Sequence, residues 1–252
     1  MLLKLLACNV FMREACHCIA ASPHVIDVEF LELGEHIHSA SLRERLQTRI
    51  EAAESAAKRY DAILLLYGLC GNSAVGLVAR RLPLVMPRAH DCCTILLGSK
   101  ERFKALFADN PSMPFSSAGY LERGDYYLRT SEGDGSSQLQ YGDAFAAYVE
   151  QYGEEDAKFI WESLHPPHLE EATRTALFVD LPETAQLGHA ERFRAKVVAE
   201  GKEYVRVEGN MDLIRRLLDG EWDAAEFLIV PPGSKTVGIY DWSEVVRAGP
   251  AA

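Results

Sequence analysis

Residues 62–72 read Ala-Ile-Leu-Leu-Leu-Tyr-Gly-Leu-Cys-Gly-Asn, an apolar run that ends in a glycine-flanked cysteine. A short apolar run without polar alternation is typical of a strand that is covered on both faces in a parallel sheet. Gly68 and Gly71 permit a tight turn and a close approach of the backbone to a ligand. The stretch therefore predicts a core strand with Cys70 just beyond its carboxyl end.

Other segments of the first 110 residues repeat this pattern and alternate with helical spacing. The order of strands and helices favours a parallel sheet with right-handed crossovers, and thus an α/β fold. For the first helix, Ser39 or Ser41 is the predicted cap, and Glu44 completes a capping box with Ser41. The predicted strands are 2–7, 25–31, 62–67 and 84–87, and the predicted helices are 41–58, 71–80 and 94–107.

The alternation stops at about residue 109 and resumes near residue 176. The intervening segment contains prolines and the polar run 131–137, which indicates a lid or an inter-lobe connection, and a helix is predicted at 153–164. We expect two Rossmann-like lobes with parallel sheets: 1–110, a connecting region 111–170, and a smaller lobe 171–252. In the second lobe, Asn210 is a predicted helix cap and Gly220 a helix stop. Its predicted strands are 176–181, 204–207 and 227–230, and its helices 189–200 and 211–218.

Composition narrows the class of protein. A formal net charge of −11 argues against broad binding to nucleic acid or to an anionic membrane surface. No apolar run approaches the roughly 20 residues that span a bilayer, and no signal peptide is recognisable. We therefore expect a cytoplasmic protein in a reducing compartment, where clustered thiols are metal ligands or reactive groups rather than cystines.

All six cysteines fall in the first 93 residues. Cys8, Cys70 and Cys92 each follow a predicted strand. In open α/β sheets, ligands bind outside the carboxyl ends of the strands. We therefore expect these three sulfurs to meet at one edge of the first sheet. Cys16 and Cys18 lie two apart on a predicted helix and face different directions, so both cannot easily join one site.

Residues 87–93 read Pro-Arg-Ala-His-Asp-Cys-Cys and place further chemistry beside Cys92. His90 is a candidate fourth metal ligand, and Asp91 is positioned to orient its imidazole. Arg88 adds positive charge for an anionic substrate or a thiolate. The alternative interpretation is a polar helix entrance in which Asp91 serves as the cap. Gly71 and Asn72 are candidate cofactor-binding residues, and His36 is a further candidate beside the same edge.

Several common signatures are missing from the sequence. There is no CxxC, GxGxxG, GxxxxGK[ST], GxSxG or HExxH motif. A zinc ribbon, a thioredoxin-like redox motif and the usual nucleotide-binding loops are therefore not predicted.

The YGLCG and PRAHDC motifs, together with Cys8, Arg13-Glu14 and His36, resemble an uncharacterised prokaryotic family that is catalogued as a domain of unknown function. Members of that family are often encoded beside corrinoid-dependent methyltransferases that act on methylamines or betaines. The resemblance implies roles for Cys8, Cys70, His90, Asp91 and Cys92, with Arg13, Glu14 and His36 nearby. Cys16, Cys18 and Cys93 lie outside its motifs, and Gly119-Tyr120 stands where Gly-Trp is expected, which puts a substrate-stacking role there in doubt.

Three hypotheses follow for the function. In the first, Cys8, Cys70 and Cys92 bind a metal centre that serves corrinoid-linked one-carbon metabolism. The centre is either zinc, with His90 as the fourth ligand, or a [4Fe–4S] cluster held by the three thiolates. The chain would then be a methyltransferase or a methyltransferase-associated metalloenzyme, with a small-molecule substrate and a corrinoid protein or methyltransferase as partner. In the second, Cys70 is a metal-free nucleophile with His90 as its base. In the third, the chain is a non-catalytic accessory module of a methyltransferase complex.

Overall fold

The computed structural model describes residues 1–32, 39–70, 72–110, 113–124, 174–239 and 241–251. The predicted helix 153–164, His36 and Gly71 lie outside these residues. Within them, the fold is mixed α/β, with one mostly parallel and one fully parallel sheet. No described helix has the length and apolar character that a membrane crossing requires.

The first sheet has five strands in the order β2-β1-β3-β5-β9. The strands β1, β2, β3 and β5 are parallel, whereas β9 pairs with β5 in the antiparallel direction. The central register aligns Leu5 with Val28 on one side and with Leu64 on the other. The strand bounds are β1 Leu2–Cys8, β2 Val25–Leu31, β3 Ala62–Leu66, β5 Leu84–Pro87 and β9 Phe227–Val230.

Helices connect and cover these strands. A short 3-10 helix, Asn9–Phe11, follows β1 and leads into α1, while α2 packs on β1. β3 is buried along its whole length, as its unbroken apolar sequence predicts. The helix bounds in this part of the chain are α1 Met12–Ala21, α2 Ser39–Ser55, α3 Cys92–Leu97 and α4 Lys100–Phe107.

The second parallel sheet has the order β6-β7-β8. Alternate side chains of β7 face two different apolar clusters. Leu177 and Val179 belong to the main core that surrounds the first sheet, whereas Phe178 packs against Phe193 of the following helix. The elements here are β6 Phe115–Ser117, α5 Ala118–Arg123, β7 Thr175–Asp180, a 3-10 helix Ala185–Leu187, α6 His189–Ala199, β8 Glu203–Glu208 and α7 Asp212–Asp219.

The end of the chain returns to the first sheet. β9 joins β5, and α7 packs on α1, β3 and β5. Strands β10 (Ser234–Gly238) and β11 (Val246–Pro250) then form a small sheet with β4 (Val78–Ala79). The strands of the predicted lobe 171–252 thus belong to three different sheets. The sequence did not predict this division, because pairing between distant strands leaves no local signal.

The predicted helix at 71–80 is wrong. Its described part consists of turns and the strand β4. Distant partners capture the backbone there: Leu77 N–H donates to Thr236 Oγ1 at 2.9 Å, and Gly76 N–H donates to the Thr236 carbonyl. A tertiary pairing has overridden the local helical pattern.

The predicted helix at 94–107 is in fact two helices, α3 and α4. Gly98 ends α3 with a φ of +79°, a left-handed conformation that glycine adopts without strain. Ser99 then caps α4, since its hydroxyl accepts a hydrogen bond from Arg102 N–H.

Three predicted helix ends have mixed outcomes. Ser41 lies inside α2, which begins at Ser39, so the predicted capping box is wrong. The predicted cap Asn210 lies one residue before Met211, the observed N-cap of α7. Its Oδ1 nevertheless accepts a hydrogen bond from the Asp212 N–H at 2.9 Å. The predicted stop at Gly220 is confirmed by its φ of +77° at the end of α7.

Candidate three-cysteine site

Three cysteine side chains come together beyond the carboxyl ends of β1, β3 and β5. Cys8 is the last residue of β1, Cys70 follows β3, and Cys92 begins α3 after β5. The Cys70 and Cys92 sulfurs are 3.9 Å apart, and Cys8 lies close enough to Cys92 to shift the pKa of its thiol. β2 and β3 lie on opposite sides of β1, so the strand order reverses between β1 and β3. Cys8 follows β1 and Cys70 follows β3, so the two cysteines flank this reversal point.

Backbone hydrogen bonds hold the two loops together. Leu69 N–H donates to the Ala89 carbonyl at 2.9 Å, and Cys70 N–H donates to the His90 carbonyl at 3.2 Å. Gly68 is necessary for this approach, because a Cβ at that position would lie 2.6 Å from the Asp91 Cα. Any larger residue would push the loop that carries Cys70 away from the loop that carries Cys92.

The backbone at Cys70 adopts an uncommon conformation. Cys70 has a φ of +45° and Asn72 a φ of +71°, both in the left-handed region that residues other than glycine rarely enter. Such strain clusters at ligand-binding and catalytic positions. Cys70 is also the partly exposed member of the trio, whereas Cys8 and Cys92 are buried. It is therefore the thiol that a ligand reaches first.

The pKa values of the Cys8 and Cys92 thiols are shifted in opposite directions. The hydrogen bond from Cys92 lowers the pKa of Cys8, burial opposes this effect, and the Val10 N–H lowers the pKa further. The pKa of Cys92 is raised well above its usual value by its hydrogen bonds to Cys70 and Cys8 and by burial. Of these two thiols, Cys8 is therefore the more readily ionised and Cys92 the more readily protonated.

Two tyrosines lie near the sulfurs. The pKa values of Tyr67 and Tyr120 are raised well above the usual value, first by burial and then by the charges of Cys8, Cys70 and Cys92. The Tyr67 hydroxyl is buried and has no hydrogen-bond partner among the described residues.

Helix α5, which carries Tyr120, packs closely on the chain that follows Cys8. A Cβ at Gly119 would lie 1.8 Å from the Val10 carbonyl oxygen, so only glycine permits this packing. Neither tyrosine was predicted as a site residue from the sequence. The position of Tyr67 directly after the buried strand, beside Gly68 and Cys70, was the available signal.

His90 and Asp91 do not form a pair with the sulfurs. The His90 ring packs against Phe103 and Trp242, with centroids 5.6 and 5.2 Å apart, and within the described chain no hydrogen bond links it to a cysteine. Burial lowers its pKa. Asp91 Oδ1 accepts from the Thr94 N–H and hydroxyl, so this carboxylate caps α3, as the alternative interpretation of the sequence expected.

Other predicted site residues have structural partners. The Arg88 guanidinium donates to the carbonyls of Ala224, Glu244 and Val246, and thereby ties β5 to the end of the chain. The Asn72 carbonyl accepts from the Arg43 guanidinium. Arg88 and Asn72 thus support the loops around the site.

The remaining predicted residues lie on helix α1 or in the core. Arg13 pairs with Glu122 at 2.8 Å, and Glu14 is buried on the same helix. Cys16 is exposed, whereas Cys18 is buried and burial raises its pKa to about 11. Cys93 is fully buried in the hydrophobic core, and burial raises its pKa well above the usual value.

The spacing of the cysteines bears on whether they could hold a metal ion. Across the described ranges, no group of three or more His, Cys, Asp or Glu side chains is placed so that it could hold a metal ion. Cys70 and Cys92 are instead in direct sulfur contact, with Cys8 beside Cys92. Two thiolates on one tetrahedral zinc, with Zn–S bonds of about 2.3 Å, have sulfurs about 3.8 Å apart. The observed separation of 3.9 Å between Cys70 and Cys92 fits that spacing.

These features define an α/β protein with a cysteine cluster beyond the ends of neighbouring parallel strands. The chain belongs to a family described as a protein of unknown function (DUF1638), which matches residues 30–218. The matched range contains Cys70 and Cys92, while Cys8 precedes it. No curated protein and no solved structure matches the chain.

Proposed function

We propose that Cys8, Cys70 and Cys92 bind one thiophilic metal ion, at the carboxyl edge of the sheet in the first of two Rossmann-like lobes. The observation that carries the proposal is the 3.9 Å separation of the Cys70 and Cys92 sulfurs, to which Cys8 adds a third sulfur. Thiolate ligands select zinc and other soft metals. The lowered pKa of Cys8 favours its thiolate form, which metal ligation requires.

The spacing favours a single ion over an iron–sulfur cluster. In a [4Fe–4S] cluster each cysteine binds a different iron, so the ligand sulfurs lie farther apart than two ligands of one ion. The 3.9 Å separation of the Cys70 and Cys92 sulfurs is shorter than cluster ligation would need and supports a single ion. Zinc is therefore the metal that we propose first, and a cluster is the alternative.

The surroundings favour an open fourth position. His90, the predicted fourth ligand, packs in the aromatic cluster with Phe103 and Trp242. Three protein ligands with a fourth position for solvent or substrate are typical of catalytic zinc sites, and zinc bound there would supply Lewis-acid chemistry. The buried Tyr67 hydroxyl is available to donate a hydrogen bond at that position, and Cys70 is the ligand nearest to solvent.

The proposed setting is one-carbon metabolism. The family resemblance supports a role beside a corrinoid protein or a methyltransferase, with a thiol or another small molecule as methyl acceptor. Free thiols at the site also suit a reducing cytoplasm, since oxidation would remove the ligands. A metal-free nucleophile remains an alternative, favoured by the exposure and the positive φ of Cys70.

Metal analysis of protein purified without oxygen tests the proposal. We expect one zinc per chain in the natural protein, and a loss of most of it in Cys70→Ser and Cys92→Ser. The control is Cys16→Ser, since Cys16 is an exposed thiol on α1 outside the trio. Full metal occupancy in Cys70→Ser would refute the three-cysteine site. Metal-free protein with one rapidly alkylated thiol would establish the nucleophile alternative.

A further inference from the structure

Two of the three clustered cysteines are placed so that they can bond to each other. The sulfurs of Cys70 and Cys92 are 3.9 Å apart, and both thiols are free. That separation leaves no room for another atom between the two sulfurs. A disulfide has an S–S length of about 2.05 Å, so the sulfurs must approach by roughly 2 Å, a distance that rotation of the two side chains supplies.

The backbones that carry the two cysteines run side by side. β3 and β5 are paired, and neighbouring strands of a sheet lie about 4.8 Å apart. The pairing continues into the loops, where Leu69 N–H donates to the Ala89 carbonyl at 2.9 Å and Cys70 N–H donates to the His90 carbonyl at 3.2 Å. A backbone spacing of this size suits the Cα separation of about 4.4–6.8 Å that a disulfide tolerates.

The two thiols differ in their access to solvent. Cys70 is partly exposed, whereas Cys92 is buried behind it. An accessible thiol beside a second, resolving thiol is the usual arrangement at redox-sensitive sites. Cys8 is the competing partner for Cys92, because it lies close enough to shift the pKa of that thiol, but it is also buried. A small oxidant therefore meets Cys70 first.

We propose that Cys70 and Cys92 form a reversible disulfide when the protein meets a small disulfide oxidant such as glutathione disulfide, and that this bond is a redox switch which closes the three-cysteine site. A sulfur in a disulfide is no longer a thiolate and cannot serve as a thiolate ligand. Release of metal on oxidation therefore rests on the proposed function, whereas formation of the disulfide does not.

Two thiol–disulfide exchange steps form the bond. In the first, the Cys70 thiolate attacks glutathione disulfide and breaks its S–S bond. Cys70 is then joined to one glutathione, and the other leaves as a thiolate that takes up the proton lost by Cys70. In the second step, the Cys92 sulfur attacks Cys70, and the second glutathione leaves with the proton of Cys92. Two protein thiols are oxidised, and one glutathione disulfide is reduced to two glutathione thiols.

Thiol counting and peptide mapping of metal-free protein test the bond itself. The folded protein is incubated with glutathione disulfide and then unfolded for the count. We expect the free thiols to fall from six to four, since two enter the bond, with one cross-link between the Cys70 and Cys92 peptides that dithiothreitol reverses. A count that stays at six would overturn the proposal. A cross-link of Cys8 to Cys92, or a glutathione that remains on Cys70, would also overturn it.

Matched variants assign the two roles. Cys92→Ser and Cys92→Ala should each retain one glutathione on Cys70, because the resolving thiol is missing. The control is Cys16→Ser, since Cys16 is an exposed thiol on α1, and it should form the same cross-link as the natural protein. Absence of the glutathione adduct from both Cys92 variants would contradict the assignment of Cys70 as the attacking thiol.

Zinc release separates the switch from the proposed function. In zinc-loaded protein we expect one zinc released per disulfide formed, measured with a chromogenic chelator, and rebinding after reduction. Cys8→Ser should lose zinc and keep the cross-link. A cross-link in natural protein that never binds zinc would support the disulfide and refute the metal site. Zinc that stays bound in oxidised protein, with or without the cross-link, would overturn the switch.

Discussion

The sulfur of Cys70 lies 3.9 Å from the sulfur of Cys92, although the two residues follow different strands of the sheet. The contact depends on Gly68, whose missing side chain allows the backbone of Asp91 to approach. It also depends on the positive φ of Cys70, which turns that residue back toward β5. Two local features of the chain thus create a contact that neither strand could make alone.

Gly68→Ala should damage the site through the backbone. A Cβ placed 2.6 Å from the Asp91 Cα forces the two loops apart, so we expect a loss of about 1–3 kcal/mol of unfolding free energy and weaker metal retention. Urea unfolding and metal analysis measure both effects. Gly201→Ala is the control: it has open space but a φ of +72°, so it should cost about 1 kcal/mol and leave the metal unaffected. Unchanged metal retention in Gly68→Ala would contradict the account.

Tyr67→Phe should distinguish the metal-bound from the metal-free protein. The hydroxyl is buried without a described partner, so its removal should change the stability of metal-free protein by less than about 1 kcal/mol. If it donates to the ligand in the fourth position, metal affinity should fall roughly tenfold or more. Competition with a chelator measures this affinity. Tyr60→Phe, whose hydroxyl bonds Asp27 instead, should bind metal normally, and an equal result for both variants would exclude the role of Tyr67.

Glu14 should make stability fall as pH rises. Its pKa is raised from 4.5 to about 7 by burial, so the folded state binds a proton more tightly than the unfolded state. The loss of unfolding free energy due to ionised Glu14 is absent below pH 4.5, grows between pH 4.5 and about 7, and reaches about 3 kcal/mol above that range. Glu14→Gln should therefore exceed the natural protein in stability above pH 7 and match it in acid. Parallel stability curves for the two proteins, measured by denaturant unfolding against pH, would contradict this prediction.

Glu54 should contribute strongly to stability by binding the backbone of residues 80–82, just before β5. Its Oε1 accepts from the N–H groups of Arg80, Arg81 and Leu82, at 3.0, 2.7 and 3.1 Å. Glu54→Ala leaves these donors unpaired, and we expect a loss of about 3 kcal/mol in urea unfolding. Glu44→Ala, at an exposed position of the same helix, should stay within about 0.5 kcal/mol. Similar stability of the two variants would show that the buried carboxylate contributes little.

The sequence predicts the strands of the first sheet well, because each is a short run rich in apolar residues. The predicted strands 25–31, 84–87 and 227–230 have the observed bounds of β2, β5 and β9. The antiparallel pairing of β9 with β5 had no local signal, since strand partners are chosen by tertiary packing. The helix predicted at 71–80 failed for the same reason, because distant Thr236 captures its backbone.

The candidate site was predictable in part. Three cysteines at strand exits were expected to meet; Cys70 and Cys92 are in contact, and Cys8 lies close enough to Cys92 to shift its pKa. The role of Asp91 as a helix cap and the place of His90 among aromatic rings depend on side-chain directions that spacing alone does not fix. The place of Tyr120 near the sulfurs could not be predicted, because it depends on the packing of α5 against Val10 at Gly119.

X-ray absorption at the metal edge of the anaerobically purified protein tests the central claim most directly. We predict a zinc edge with three sulfur neighbours at about 2.3 Å and one lighter oxygen or nitrogen neighbour. An iron edge with iron–iron scattering would replace the single ion with a cluster. A metal surrounded only by oxygen and nitrogen would show that Cys8, Cys70 and Cys92 are not its ligands, and would contradict the account.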